Sequence, residues 1–249
     1  MTRKIAIALS KGGVGKTTTA VNLAAALSLT KRRVLLVDTD SQGQAAPALG
    51  IESDTGLADF MLGNVSFETA VTPARDNLDL LPGGFAIAGV KQNLGKDVLQ
   101  DARRELSDKL TAYIGAYDYV IVDTAPSWDL FAVNVLFFAH ELIVPVLMET
   151  ASLNGLRFFL ERVETIKQQG HDLKLPYLLP TAIDRRVKQT HEILPQLQQH
   201  FDGSVCEPIR YNVRLSESFG HGQHIFEYDP ASNGANDYAE LAKRVISDE

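Results

Sequence analysis

The first thirty residues constrain this chain more than any other segment. An apolar run, Lys4–Leu9, leads into Ser10-Lys11-Gly12-Gly13-Val14-Gly15-Lys16-Thr17-Thr18, and a long helical pattern, Lys16–Leu29, follows at once. The glycines at 12, 13 and 15 let successive backbone N–H groups turn inward around an anion with no Cβ in the way. A helix beginning near Lys16 adds its N-terminal partial positive charge. Lys16 can then reach the β- and γ-phosphates, and the Thr17 hydroxyl can ligate Mg²⁺. The ordinary phosphate-loop spacing asks for Gly where Ser10 stands, so the segment is the variant K-G-G-x-G-K-[ST]. A plain Gly-rich turn explains the glycines but not a lysine and threonines at these offsets in a strand–loop–helix context. Residues Lys11, Gly12, Gly13, Val14, Gly15, Lys16, Thr17 and Thr18 therefore read as a nucleoside-triphosphate cradle.

Strand and helix patterns alternate through the rest of the chain. Strands are expected at Lys4–Leu9, Arg33–Asp38, Leu78–Leu81, Tyr117–Asp123, Glu141–Val146 and Pro176–Ile183, with a weaker one at Val205–Ile209. Helices are expected at Lys16–Leu29, Val98–Tyr113, Leu130–Ala139, Ser152–Gln169, Thr190–His200 and Ala231–Ser247. Continuously apolar strands suit a sheet covered on both faces. The alternation predicts an α/β fold, one doubly wound, mostly parallel sheet with helices on both faces. At 249 residues and 45% hydrophobic, the chain has material for a large core, which excludes disorder. No apolar run approaches the ~18 residues of a membrane span. The lone Cys206 reads as a buried apolar residue. No repeat or linker divides residues 1–249, so a single domain is expected. Gly43–Asn77 is the least regular stretch, broken by Gly50, Gly56, Gly63 and Pro73.

Two further apolar strands end in carboxylates. The second runs Val34-Leu35-Leu36-Val37-Asp38-Thr39-Asp40, and a later one Tyr119-Val120-Ile121-Val122-Asp123-Thr124. Open α/β sheets bind ligands at the carboxyl ends of their strands. Asp123 is placed to hold Mg²⁺ through its water shell, since that ion dehydrates reluctantly. Asp38 and Asp40, two apart, share a face of an extended segment.

At Lys11 the loop resembles that of the ParA/MinD family of deviant Walker-type ATPases, in which this residue is the signature lysine. The resemblance implies a P-loop fold of the SIMIBI kind that binds ATP/ADP and Mg²⁺. It also implies an ATP-sandwich homodimer in which Lys11 contacts phosphate bound to the partner chain, much as an arginine finger does. By the same resemblance Lys11, Lys16 and Asp40 are catalytic, with Asp40 positioning the attacking water. Thr17, Asp38 and Asp123 serve the metal, Asp38 from its outer shell. The activity implied is slow, Mg-dependent, partner-stimulated hydrolysis of ATP to ADP and phosphate. The family segment D-x-D-P-Q-G-N is changed here to Ser41 and Gln44.

Tyr211-Asn212-Val213-Arg214-Leu215-Ser216-Glu217 and Tyr228-Asp229-Pro230-Ala231-Ser232-Asn233-Gly234-Ala235 resemble the ParA branch in particular, in its small Soj-like form. One cysteine cannot supply the iron–sulfur ligands of the related nitrogenase iron protein. The acidic closing segment lacks the basic face of a MinD membrane helix, so no membrane partner is expected. With the phosphate loop beginning at residue 10, no N-terminal helix-turn-helix domain is expected. The branch implies non-specific DNA binding through Arg186 and Arg214, with Arg185, Lys188 and Arg210 as neighbours. It also implies a ParB-like stimulating partner, a cytoplasmic, nucleoid-associated location, and segregation of plasmid or chromosomal DNA. A protein cargo positioned on the nucleoid is the alternative, and a MinD-like membrane regulator or a non-hydrolysing nucleotide-gated module lies further off. The net charge of −7 opposes binding by bulk charge. Between Ile183 and Arg214 there are five cations and four anions, so any DNA patch must be local and doubled by dimerisation.

Overall fold

The computed structural model describes residues 2–94, 101–184 and 186–249. Its strands are β1 (Arg3–Ile7), β2 (Val34–Asp38), β3 (Thr72–Arg75), β4 (Leu78–Leu81), β5 (Tyr119–Asp123), β6 (Glu141–Leu147) and β7 (Lys174–Thr181). They form one sheet in the order β3-β4-β2-β5-β1-β6-β7, parallel except for the edge strand β3. The helices among the described residues are α1 (Lys16–Leu29), α2 (Ala45–Ala48), α3 (Leu57–Leu62), α4 (Phe67–Ala70), α5 (Ile87–Asn93), α6 (Glu105–Leu110), α7 (Leu130–Phe138), α8 (Thr150–Gln168), α9 (Lys188–His200), α10 (Val213–Gly220), α11 (Ile225–Tyr228) and α12 (Asn233–Ser247).

The pleat sorts the strand side chains into two cores. Ala6, Leu35, Val37, Val120 and Val122 face one, which α3 and α5–α9 close with residues such as Phe131, Phe159 and Leu197. Ile5, Ile7, Leu36, Tyr119 and Ile121 face the other, closed by α1 and α12. Both faces are thus covered, which is why β2 and β5 are apolar at every position before their closing aspartates. In α12 the buried Tyr238, Leu241, Ala242 and Val245 fall on one helical stripe, and the Ser232 hydroxyl accepts from the Ala235 amide to start the helix. In α1 nearly every residue from Thr19 to Ser28 is buried, because the helix lies between the sheet and α12.

The expected doubly wound α/β sheet is present, with two corrections. Thr72–Arg75 is a strand, although Pro73 reads as punctuation in the sequence. At a sheet edge the missing N–H has no ladder to break. Conversely, Val205–Ile209 makes only isolated parallel bridges beside β7, at Leu178–Val205 and Ile183–Arg210. Pro180 and Pro208 have no N–H to donate, so a continuous ladder cannot form there. The helix expected over Val98–Tyr113 is short, Glu105–Leu110, and its residues 98–100 lie outside the described residues.

Candidate nucleotide site

The sheet order puts β1 between β5 and β6, so the loop leaving β1 meets the carboxyl ends of its neighbours. Gly13 and Gly15 adopt φ of +73° and +89°, a left-handed backbone that only glycine takes without strain. A Cβ at Gly12, Gly13 or Gly15 would meet nothing within 4 Å, so the hollow of the loop is open. The loop delivers the chain directly into α1, whose N-cap is Gly15 and whose first turn holds no acidic residue. No side chain caps the first-turn amides, and helix geometry leaves them without intrahelical partners. They form an anion cradle with a positive helix end behind it.

The Lys16 side chain folds over this cradle. It is 7% exposed, and its Nζ donates to the Lys11 carbonyl at 2.8 Å. Burial pushes the ammonium below the usual lysine range, while Asp123 and Asp40 pull the other way. Lys11, at the mouth of the loop, turns toward its own chain. Its Nζ donates to Glu149, the residue before α8, and to Ser152 Oγ at 2.9 Å. Lys11 in turn holds the Glu149 carboxyl below the usual range.

Asp38 and Asp123 are parallel-register partners at the ends of β2 and β5, and both are fully buried. Their environments differ. Asp38 accepts from the Asp40 amide at 2.9 Å and from the Ala45 amide at 3.1 Å, so its carboxylate braces the loop that carries Asp40. Burial, with the Asp40 charge adding to it, pushes Asp38 up to about 6. Gly83 packs directly on this carboxylate, and a Cβ there would lie 2.7 Å from Asp38 Cγ. Neither oxygen of Asp123 has a hydrogen-bond partner among the described residues. Burial, and then the neighbouring Asp38 charge, push its carboxyl well above the ordinary range, opposed by Thr17 and Lys16. A buried, unsatisfied carboxylate beside a threonine hydroxyl and an anion cradle suits a hydrated divalent cation. Mg²⁺ draws most of its ligands from water and phosphate, so one hydroxyl and one carboxylate beside the cradle suffice to hold it. Asp40, half-buried, accepts from the Gln42 amide at 3.0 Å, and its carbonyl accepts from Gly84.

Beside the loop opens a cavity of about 270 Å³, walled by Gly13, Val14 and Thr18, by Thr181 at the end of β7 and Ala182 after it, by Ile209–Asn212, and by Leu215, Ser216 and Phe219 of α10. Thr181 Oγ1 donates to the Val14 carbonyl at 2.9 Å, joining this wall to the phosphate loop. Ala182 holds φ +52°, a strained value for alanine at the rim of a cavity. Its position next to the cradle fits a nucleoside. In the sequence Tyr211–Glu217 is legible only as a family signature, and its place in a cavity wall is not. Glu149 is a site residue outside the sequence expectations, although a carboxylate just beyond β6 carries the same strand-end signal as Asp123.

Of the arginines expected at the DNA surface, Arg186 and Arg214 are exposed and Arg210 is half-buried, and all three are paired. Arg186 binds Asp184 at 2.6 Å, Arg210 binds Asp237 at 2.6 Å, and Arg214 binds Glu217 at 2.9 Å with Asp229 at 3.5 Å. Lys188 lies 3.4 Å from Glu192, and Arg185 lies outside the described residues. Cys206 is buried and its thiol is pushed up to about 12 by burial, as suits a packing residue. No described helix is long and apolar enough to cross a membrane.

Fold and site together define a phosphate-loop nucleotide-binding α/β protein. Residues 2–175 match the AAA domain family. The chain is 36% identical over 253 residues to the sporulation initiation inhibitor protein Soj of Bacillus subtilis, covering 99% of both chains. It is 36% identical over 251 residues to the chromosome partitioning protein ParA of Myxococcus xanthus, covering 98% of this chain and 88% of that one. A solved structure named as cobyrinic acid a,c-diamide synthase from Mycobacterium smegmatis, with bound ADP and magnesium, superposes with a TM-score of 0.83 at 32% identity. That match covers 99% of this chain and 94% of the other. The chain belongs to this AAA domain family and, within it, to the ParA/Soj group of partition ATPases.

Proposed function

We propose that this protein is a ParA-like ATPase that binds ATP and Mg²⁺, closes into an ATP-sandwich homodimer, and in that state binds DNA without sequence preference. A ParB-like partner stimulates hydrolysis and releases the dimer, so that plasmid or chromosomal DNA is segregated by a cytoplasmic, nucleoid-associated protein. The observation that carries the reading is the two-lysine loop, with Lys16 folded into the cradle and Lys11 at its mouth beside an open rim. One lysine serves the phosphates of its own chain. The other is free to serve a second chain once its pairing with Glu149 and Ser152 opens.

Each residue has a defined task. The loop amides and Lys16 bind the β- and γ-phosphates, Lys11 of the opposing chain adds a cation against the charge that develops during transfer, and Asp40 orients the attacking water. Thr17 and Asp123 would hold the magnesium, with Asp38 bracing the loop and reaching the metal's water shell; the ion supplies charge neutralisation on the phosphates. The wall of the adjoining cavity, from Ile209 to Phe219, holds the adenosine.

Purified protein tests this by retention on random-sequence duplex DNA with ATP, ADP or no nucleotide. Wild type is expected to dimerise and bind only with ATP. Lys11→Ala loses both properties, and Asp40→Ala keeps both but loses phosphate release by about 100-fold or more. If ATP adds neither dimerisation nor DNA affinity at physiological salt, the reading fails.

A further inference from the structure

Helix α10 has two faces with different duties. Leu215, Ser216 and Phe219 wall the cavity beside the phosphate loop, while Arg214, on the first turn, faces outward. Asn212 begins the helix by accepting the Arg214 amide at 2.9 Å. Arg214 Nη1 donates to Glu217 Oε2 at 2.9 Å, and its Nε lies 3.5 Å from Asp229 Oδ2. Tyr228 OH donates to the same Glu217 oxygen at 3.2 Å, which holds the acceptor in place. One guanidinium thus faces two carboxylates, so the local charge is negative and a phosphate approaching Arg214 meets repulsion.

The start of α10 has little slack. Gly234, at the start of α12, packs so closely that a Cβ there would lie 2.9 Å from Leu215 Cγ and 3.1 Å from Asn212 Nδ2. A ligand that presses on Leu215 and Ser216 would therefore shift the first turn of α10 as a unit, because local repacking has no room to absorb it. Asp229 is not on that unit, since it lies on the link between α11 and α12. Movement of α10 consequently changes the Arg214–Asp229 geometry. Arg186 and Arg210 are also paired, with Asp184 and Asp237; Arg210 itself lines the cavity but lies on the segment before α10, and Arg186 does not line it.

We propose that Glu217 and Asp229 are intrachain competitors of DNA phosphate for Arg214, and that filling the nucleotide cavity beside α10 frees Arg214 from Asp229, leaving Glu217 as the weaker, same-helix restraint. The inference rests on the DNA-binding reading above. It adds two residues with no direct contact to nucleotide or DNA that set how strictly DNA binding depends on ATP.

The test is DNA affinity of the full chain, with and without nucleotide, for wild type, Glu217→Gln, Asp229→Asn, the double variant, and the double variant carrying Arg214→Ala. Thermal melts report which variants stay folded, and either single substitution suffices if the double does not. The double variant is expected to gain at least ~10-fold affinity in the absence of nucleotide. Its salt dependence steepens by about one unit per chain, for one added phosphate contact. Adding Arg214→Ala is expected to erase both changes. Nucleotide-free affinity that stays at the wild-type level overturns the inference, and so does a gain that survives Arg214→Ala, since that is bulk charge alone. Wild type that binds DNA with ATP while the variants do not respond leaves the proposed function standing. Wild type that never binds DNA removes both.

Discussion

The two ends of the sheet treat charge in opposite ways. At the amino ends of the strands, Arg3 donates to Glu141 at 2.9 Å, to the Tyr177 hydroxyl at 3.0 Å and to the Val245 carbonyl. Glu249 there accepts from both Arg32 and the Tyr119 hydroxyl. Each of these charged groups has its counterpart within the chain. At the carboxyl ends Asp123 is buried without a partner, Asp38 is raised by burial, and an uncapped helix N-terminus faces an open loop. The first arrangement ties the C-terminal helix to the sheet. The second leaves deficits that a triphosphate and a cation would fill, so stability is given up where binding is needed.

The largest effect that could break this contrast comes from paired substitutions. Asp123→Asn should cut phosphate release at least ~100-fold while raising the melting temperature of the nucleotide-free protein, because the cost of ionising a fully buried carboxyl beside Asp38 is removed. Arg3→Ala should do the reverse, losing about 2–3 kcal/mol of stability with unchanged turnover per folded molecule. Melting curves and phosphate assays on both variants decide it. A nucleotide-free Asp123→Asn protein less stable than wild type would end the contrast.

The pH dependence sharpens it. Asp38 is raised to about 6 in the folded protein, so it binds more protons folded than unfolded above its ordinary value. Its contribution is therefore complete below about pH 4 and is lost as pH climbs through 6, a loss on the order of 2–3 kcal/mol. Glu249, held low by Arg32 and Tyr119, has the opposite sign and loses its contribution as pH falls below the ordinary glutamate range. Urea midpoints of nucleotide-free protein at pH 4, 5, 6 and 7 should show the Asp38 loss in wild type and not in Asp38→Asn. Parallel curves for the two proteins would contradict it.

The smallest effect belongs to the satisfied end. Tyr119→Phe removes one hydroxyl from Glu249 and should cost about 1 kcal/mol in denaturant titration, with no change in nucleotide binding. A larger loss would show that the C-terminal residue holds the amino end of the sheet cooperatively.

The parts of the site legible in sequence are those whose groups are close along the chain. Gly12 to Thr18 carry the cradle, its lysine and the hydroxyl proposed for the metal within seven residues, and Asp38 and Asp123 each close their own apolar strand. The hidden parts join distant segments. Glu149 meets Lys11 across 138 positions, and Thr181 meets Val14 across 167. Arg214 also illustrates the limit, because its cation is plain in the sequence but its neutralisation by Asp229, fifteen residues on, depends on how α11 folds back.

The sequence by itself determined the α/β alternation, the phosphate loop and its second lysine, because backbone freedom at glycine and strand–helix periodicity are local properties. Only the tertiary structure decided which carboxylates are satisfied and which are left bare. Burial and partner geometry are set by where the sheet order brings β1, β2, β5 and β6 together. Tertiary packing likewise built the cavity between the loop and α10, and set every arginine of the expected DNA surface for which a contact is described against an acid of its own chain.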